Sequence, residues 1–222
     1  MKNNTWKLVV LLGLLMILSA GVLCLNNIQE SKDAAQYAGA VLSTLKERIP
    51  EAPADSAPDS AADTAPDLFA EYGAAPESSE ASAEILLDDA AYCGYLELPA
   101  LEIELPVQSS WSYPALKKSP CRYSGFAETN DLIIAAHNYA SHFGRIGELT
   151  AGDPIIFTDA AGKKHEYAVS FMEVIAGQDV AQMFSGSAED WDLTLYTCTL
   201  SGQSRVTVRA DRITEETDEE EP

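Results

Sequence analysis

Two residue types spaced for chemistry stand near the C-terminal end of this 222-residue chain: a thiol, Cys198, and an arginine seven positions later, Arg205. Cys198 closes the alternating run Leu193-Thr194-Leu195-Tyr196-Thr197-Cys198, and Arg205 opens Arg205-Val206-Thr207-Val208-Arg209. If residues 199–204 close an antiparallel hairpin, the two are cross-strand partners with Cβ atoms about 5 Å apart. A fixed positive charge beside a thiol favours the thiolate, which is the nucleophilic form. The plain alternative is a buried strand cysteine with no chemistry, a common fate of unpaired thiols. Alternation places Leu193, Leu195, Thr197, Val206, Val208 and Ala210 on the core face, and Thr194, Tyr196, Cys198, Arg205, Thr207 and Arg209 on the other. Arg209 then pairs with Thr194, roughly 13 Å along the strand from Cys198. Arg205 is therefore the expected functional partner and Arg209 the second choice.

A cysteine nucleophile also needs a group that gives and takes protons, and the chain has three histidines. His137 follows the apolar run Leu132–Ala136, at a strand end where a side chain emerges into a cleft. His142 lies in a polar loop before Phe143, and His165, beside Lys163 and Lys164, reads as an exposed turn residue. His137 and His142 are five apart, not the four that would align two ligands on a helical face, and no cysteine pair is spaced CxxC. No metal or other cofactor is expected.

The elements that must position these residues read strand after strand. Tyr95–Leu98 and Leu101–Val107 alternate, with prolines at edges or turns. Asp131–Ala136 is a short run suited to burial on both faces. Pro154–Thr158 and His165–Val174 flank a turn at Ala161-Gly162, and 193–198 with 205–213 form a second hairpin. Only Ser141–Leu149 and Val180–Phe184 look briefly helical. About seven strands with short helical turns favour a closed β-barrel or a sandwich.

Ahead of this folded region, assigned to residues 88–213, the chain is organised differently. Lys2 and Lys7 precede Leu8–Leu25, eighteen residues without a charge, close to the ~20 needed to span a bilayer as a helix. The basic flank puts residues 1–7 in the cytoplasm and the remainder outside. Ser19-Ala20-Gly21 offers a signal-peptide reading, but the apolar run continues to Leu25 and favours an uncleaved anchor. Residues 26–87 read as a stalk, helical to Pro50 and then an acidic, Pro/Ala/Ser-rich disordered segment interrupted by Leu68, Phe69 and Tyr72. Residues 214–222 are an acidic tail. The formal net charge of −21 excludes nucleic acid as a partner, because its phosphates would be repelled. It argues equally against docking on anionic lipid. Cys93, Cys121 and Cys198 face a space where disulfides form; a Cys93–Cys121 bridge is open, and an odd number leaves at least one thiol free.

Taken together, these elements resemble the sortases, membrane-anchored cysteine transpeptidases of Gram-positive bacteria. Thr194-Leu195-Tyr196-Thr197-Cys198 matches the family's Thr-Leu-x-Thr-Cys signature, and Asp131–Asn138 resembles the strand carrying its histidine. Arg205–Arg209 resembles its arginine strand, and Gly94–Val107 is similar to its opening strands. The resemblance covers roughly residues 92–213. It implies a closed, mostly β barrel with short helices, behind a transmembrane helix and a disordered stalk. It also implies that Cys198 attacks a Thr–Gly bond in a Leu-Pro-x-Thr-Gly-like sorting signal and forms a thioester. His137 would act as general acid and then base, and Arg205 would stabilise the oxyanion. Thr197 is implied to assist at the substrate site. The implied partners are sorting-signal peptides of secreted surface proteins and a peptidoglycan-precursor or pilin amine as acceptor. The protein is placed in the cell membrane as a single-pass chain with an extracellular domain.

The chain also departs from the family pattern. Ala136 stands where many sortases have glycine, and the loop from Cys198 to Arg205 is shorter than in many members. The region before Leu193 lacks room for the long helix of class B, and the stalk has no Asp-Pro-aromatic lid of the pilin-polymerising class. Because unperturbed cysteine titrates near 8.5 and histidine near 6.5, only a minor thiolate–imidazolium population is expected, hence a slow enzyme. The alternatives are a pilin-type polymerising sortase and a non-catalytic β-barrel surface module whose Cys198 is structural or disulfide-bonded.

Overall fold

The computed structural model describes residues 5–50, 83–179, 181–184 and 191–214. Most of the expected acidic stalk (51–82, with Leu68, Phe69 and Tyr72) and most of the tail (215–222) lie outside the described residues. The chain opens with helix α1 (Thr5–Arg48) and continues through β1 (Ile85–Leu87), β2 (Ala90–Leu98), β3 (Ile103–Gln108), α2 (Tyr113–Leu116), β4 (Cys121–Ser124) and β5 (Leu132–Ala135). The hairpin β6 (Pro154–Asp159) and β7 (Lys164–Ala176), the short helix α3 (Ala181–Phe184), and the hairpin β8 (Leu193–Cys198) and β9 (Ser204–Arg212) complete it.

Sequential pairing runs β2-β3-β4-β5-β8-β9-β7-β6, and β6 returns to pair with β2, closing an eight-stranded barrel with β1 added at the side of β2. Closure depends on Gly94. Its φ of +151° falls at a register shift in β2, and a Cβ there would stand 2.1 Å from the Thr158 carbonyl oxygen. Only a residue without a side chain lets β2 bend into contact with β6. Inside the barrel, Leu96, Leu105, Ile134, Phe143, Ile155, Tyr167, Leu195 and Val208 pack as one core.

The alternation expected for β8 and β9 is observed: Leu193, Leu195, Val208 and Ala210 belong to that core. Strands β1 and β4 had no sequence signal. β1 has only three residues, and β4 reads Cys-Arg-Tyr-Ser, without apolar alternation. His165 is a correction. Expected as an exposed turn residue, it is 2% exposed, and its Nε2 lies 2.9 Å from Asp159 Oδ2. Asp159 Oδ1 accepts from the backbone N–H groups of Ala161 and Lys163, so the pair knots the β6–β7 turn from inside.

Helix α1 is one uninterrupted element about 65 Å long at 1.5 Å per residue. Its first part is apolar, exposed, and long enough to cross a membrane. Its last five turns are not a free stalk but lie against the barrel. Ala34, Ala38, Val41 and Leu45, all buried, recur at helical spacing. Val41 and Leu45 pack with Leu87 and Tyr92, joined at the edge by Ile49 and Ile85. A hydrogen bond between the Tyr37 and Tyr92 hydroxyls, the Lys46–Glu104 ion pair at 2.6 Å, and Arg48 Nη1 donating to Leu86 O reinforce the seam. Ile49 and Ile85, which flank the intervening acidic segment, thus both pack against this one cluster.

Replacing the fully buried Leu45 by alanine is expected to cost about 2–4 kcal/mol. Denaturant unfolding of the full chain checks this, and a loss below about 0.5 kcal/mol would mean the helix does not belong to the folded unit.

Candidate functional site

Strand β8 is the element around which the candidate residues gather. On one side it pairs antiparallel with β9, with Cys198 opposite Arg205 and Thr194 opposite Arg209, which is the register expected from the sequence. On its other side β8 pairs parallel with β5, Ala135 opposite Tyr196. The ladder continues through Ala136 N–H to Tyr196 O at 3.2 Å. Carried on to the next pairs, this register sets His137 level with Cys198, one inter-strand spacing of about 5 Å away. Side chains alternate, so His137 shares the outer face with Ala135, and Cys198 with Tyr196. Cys198 is thus flanked by a histidine strand and an arginine strand on the same surface.

Thr197 faces inward and is buried. Its hydroxyl donates to the Ala136 carbonyl at 2.8 Å, so it ties β8 to the residue immediately before His137. That bond gives Thr197 a role in holding the histidine strand.

His137 is half-buried between two tyrosine rings. Tyr139 stacks on it at 4.7 Å and 17°, and Tyr113 meets it edge-on at 5.8 Å. Its Nε2 is buried and has no hydrogen-bond partner among the described residues. Burial, then the nearby Lys117 charge, hold the imidazole below its ordinary range, with Glu30 acting in the opposite sense. His142, which the sequence placed in a polar loop, is fully buried. Neither ring nitrogen meets a partner among the described residues, and burial followed by the His137 charge lowers it to about 4.

The two arginines of β9 have separate fates. Arg205 is partly exposed, and its Nη1 donates to the carbonyls of Gly202 and Ser204 in the β8–β9 turn. Among the described residues Nε and Nη2 remain available for a bound carbonyl. Arg209, the second choice for the functional arginine and assigned by alternation to the non-core face, has no exposure at all. Its Nε pairs with Glu173 at 3.0 Å, Nη1 reaches Thr194 Oγ1 at 2.7 Å and the Met183 carbonyl, and Nη2 reaches the Gln182 carbonyl. The guanidinium also lies 4.1 Å from the centroid of the Trp191 ring. Arg209 therefore fastens α3 to the barrel wall.

That anchoring shapes the surface leading to Cys198. Phe184 of α3 packs at 5.8 Å on Tyr123 of β4, which meets Tyr196 edge-on at 5.6 Å and Trp111 at 6.0 Å. Tyr196 had been assigned to the outer face by alternation. Tyr123, Trp111 and Phe184 had no such signal, because they come together only across β4, β8 and their loops.

The remaining thiols are free: Cys24 is exposed, and Cys93 and Cys121 are buried. Cys93 sits in the barrel core and Cys121 in the outer cluster beneath α2; burial raises each to about 12, far from nucleophilic use. One grouping of metal-donor atoms, Glu128, Asp159 and His165, falls within 4.8 Å. The Asp159 carboxylate is already taken up by His165 and the two turn N–H groups.

Comparisons with known proteins bear on this arrangement. Residues 96–213 match the family model described as a Sortase domain. Among solved structures the chain is similar to sortase A from Corynebacterium diphtheriae, with 21% identity, 59% of this chain and 64% of that chain covered, and a TM-score of 0.52. It is also similar to sortase C from Clostridium perfringens, with 24% identity, 55% and 70% coverage and a TM-score of 0.49. The chain thus spans slightly less than two thirds of the Corynebacterium chain, and that likeness is one of fold. No curated protein sequence matches.

Two outcomes are expected from this geometry. Arg209→Met should destabilise the fold by about 3 kcal/mol, because it takes the guanidinium from Glu173, Thr194 and the buried Met183 carbonyl. Arg205→Met should change stability by less than about 0.5 kcal/mol. Equal losses in thermal unfolding would contradict the separation. For His142, the folded pKa of about 4 lies below the ordinary histidine value of about 6.5, so the unfolded chain binds the extra proton between them. Its contribution is complete above pH 6.5 and lost as pH falls towards 4. Near pH 4.5 His142→Leu should therefore recover about 2.5 kcal/mol of the wild-type acid loss, read from urea midpoints at both pH values.

Proposed function

Since this chain, matched by the family model over more than half its length, belongs to the sortase family, we propose that it is a cysteine transpeptidase that cleaves the C-terminal sorting signal of secreted proteins and passes them to an amine at the cell surface. The observation that carries the reading is the placement of β8 between the His137 strand and the Arg205 strand. In the proposed first step the Cys198 thiolate attacks the Thr–Gly carbonyl carbon of a Leu-Pro-x-Thr-Gly-like segment. Arg205 donates to the oxygen as negative charge collects on it. The carbon–nitrogen bond breaks, His137 gives its proton to the departing amine, and a thioester remains on Cys198. In the second step an incoming amine attacks the thioester, His137 takes its proton, and the thiolate leaves. Supporting groups follow the same logic: Thr197 fixes the backbone before His137, and the Trp111–Tyr123–Tyr196–Phe184 surface offers apolar contacts to the leucine and proline of the signal.

Burial favours the neutral imidazole of His137, so its protonated, proton-donating form is the minority near neutral pH. Turnover is correspondingly slow. The apolar first part of α1 is read as the membrane anchor, with the basic N-terminus inside and the barrel outside. The acceptor amine belongs to a peptidoglycan precursor in this reading. A pilin amine is the second candidate.

Incubating the full chain with a fluorogenic sorting-motif peptide and a small amine should give cleavage, transfer product, and a covalent acyl adduct on Cys198 by mass spectrometry. Cys198→Ala is expected to abolish all three, and Arg205→Ala to lower kcat/KM by at least about a hundredfold. Undiminished cleavage by Cys198→Ala would remove the mechanism.

A further inference from the structure

The two tyrosine rings that enclose His137 are both tied to one carboxylate, and that carboxylate is on α1. The Tyr139 hydroxyl donates to Glu30 Oε2 at 3.1 Å. Lys117 Nζ lies 3.6 Å from Glu30 Oε1 and 5.6 Å from the centroid of the Tyr113 ring. A second contact locks the same loop to the same turn of the helix: Ser141 Oγ donates to the Ser31 carbonyl at 3.2 Å. Tyr139 is buried, and burial followed by the Glu30 bond raises its phenol to about 12, so it stays a donor throughout the working range.

We propose that Glu30 is a positioning residue for His137: through the Tyr139 hydroxyl and through Lys117 it fixes both walls of the imidazole site, making this turn of α1 part of the active site. The inference rests on His137 being the proton-transfer group of the proposed reaction. Its physical basis is the difference between the two links. The Glu30–Lys117 pair is about two-fifths exposed on each side and contributes little by itself. The Tyr139–Glu30 bond is charge-assisted and joins a buried ring, so it holds geometry more firmly. The ring it holds is in parallel contact with His137, and a stacked neighbour that cannot tilt keeps the imidazole edge at the angle proton transfer needs.

Position along α1 adds a consequence. Glu30 is five residues beyond Leu25, the last residue of the apolar run, or about 7.5 Å along the axis. The imidazole is thereby held close to the plane where the helix leaves the apolar layer, and it is held by the anchoring element itself. A catalytic domain cut free of α1 would lose the carboxylate along with the anchor.

The groups facing His137 are Glu30 from α1, Tyr113 and Lys117 from α2 and the loop after it, and Tyr139 and His142 from its own loop. Glu30 and Lys117 act on the imidazole with opposite signs, which supplies a readout that a purely structural contact would leave unmoved. The test uses the full chain in detergent micelles, with a sorting-motif peptide for kinetics and nitrogen-labelled histidine for NMR titration. Glu30→Ala and Tyr139→Phe should each lower kcat about tenfold, with KM within about twofold and no further loss in the double variant. The His137 titration should move down in Glu30→Ala and up in Lys117→Met. Lys46→Met, which cuts a contact at the far end of the same helix, should leave kcat and the titration at wild-type values. The proposal is overturned if Glu30→Ala leaves kcat and the titration unchanged, or if the two single losses multiply in the double variant. Should the wild-type chain cleave no sorting peptide, the transpeptidase reading fails, and the His137 titrations still decide whether Glu30 governs the imidazole.

Discussion

Everything in the candidate site depends on β8 having different kinds of neighbour on its two sides. An antiparallel hairpin brings Arg205 opposite Cys198 from only seven residues away, and a parallel ladder whose last pair is Ala135–Tyr196, carried two positions on, sets His137 level with it. Parallel pairing requires a long crossover, which here carries the β6–β7 hairpin around the barrel and back. The closure of β6 on β2 at Gly94 then fixes the curvature of the wall. A change of one residue in either ladder would turn a candidate site residue into the core. The inward bond from Thr197 to the Ala136 carbonyl guards the parallel ladder at its weakest point, where β5 ends and the histidine begins.

The two arginines of β9 show how one strand serves chemistry and architecture by position alone. Arg209 is four residues from Arg205 and on the same face, yet α3 and Trp191 cover it and consume its donors on a carboxylate, a hydroxyl and two carbonyls. A buried guanidinium is tolerable only when fully satisfied, and this satisfaction is what seats α3 and Phe184 at the edge of the aromatic surface. Arg205, beyond that cover, keeps donors free. The division between them is drawn by what packs above the strand.

Helix α1 connects the barrel to its expected anchor without an intervening spacer. Its apolar turns pack on β1 and β2, its polar turn at Glu30 and Ser31 meets the His137 loop, and Ile49 and Ile85 pack against the same cluster. The second part of the helix is held at a fixed distance from the barrel. That distance is set by side-chain packing along the helix.

Local periodicity was enough to establish the period-two faces of β8 and β9, the Cys198–Arg205 register and the apolar length of the first helix. In each case the relevant partners are close in sequence, so alternation or run length alone specifies the geometry. The burial of His142, His165 and Arg209 was not legible, because the packing that covers each arises only in the folded chain and leaves no mark in local alternation. The partnership of Glu30, Tyr139 and His137 was equally hidden. A glutamate and a tyrosine 109 residues apart carry no shared pattern until the helix docks. The chain by itself determined which residue types could react and which faces they occupy. Tertiary structure decided which of them meet, which are sealed from water, and which charge stands beside the histidine, because burial and electrostatics are properties of neighbours in space.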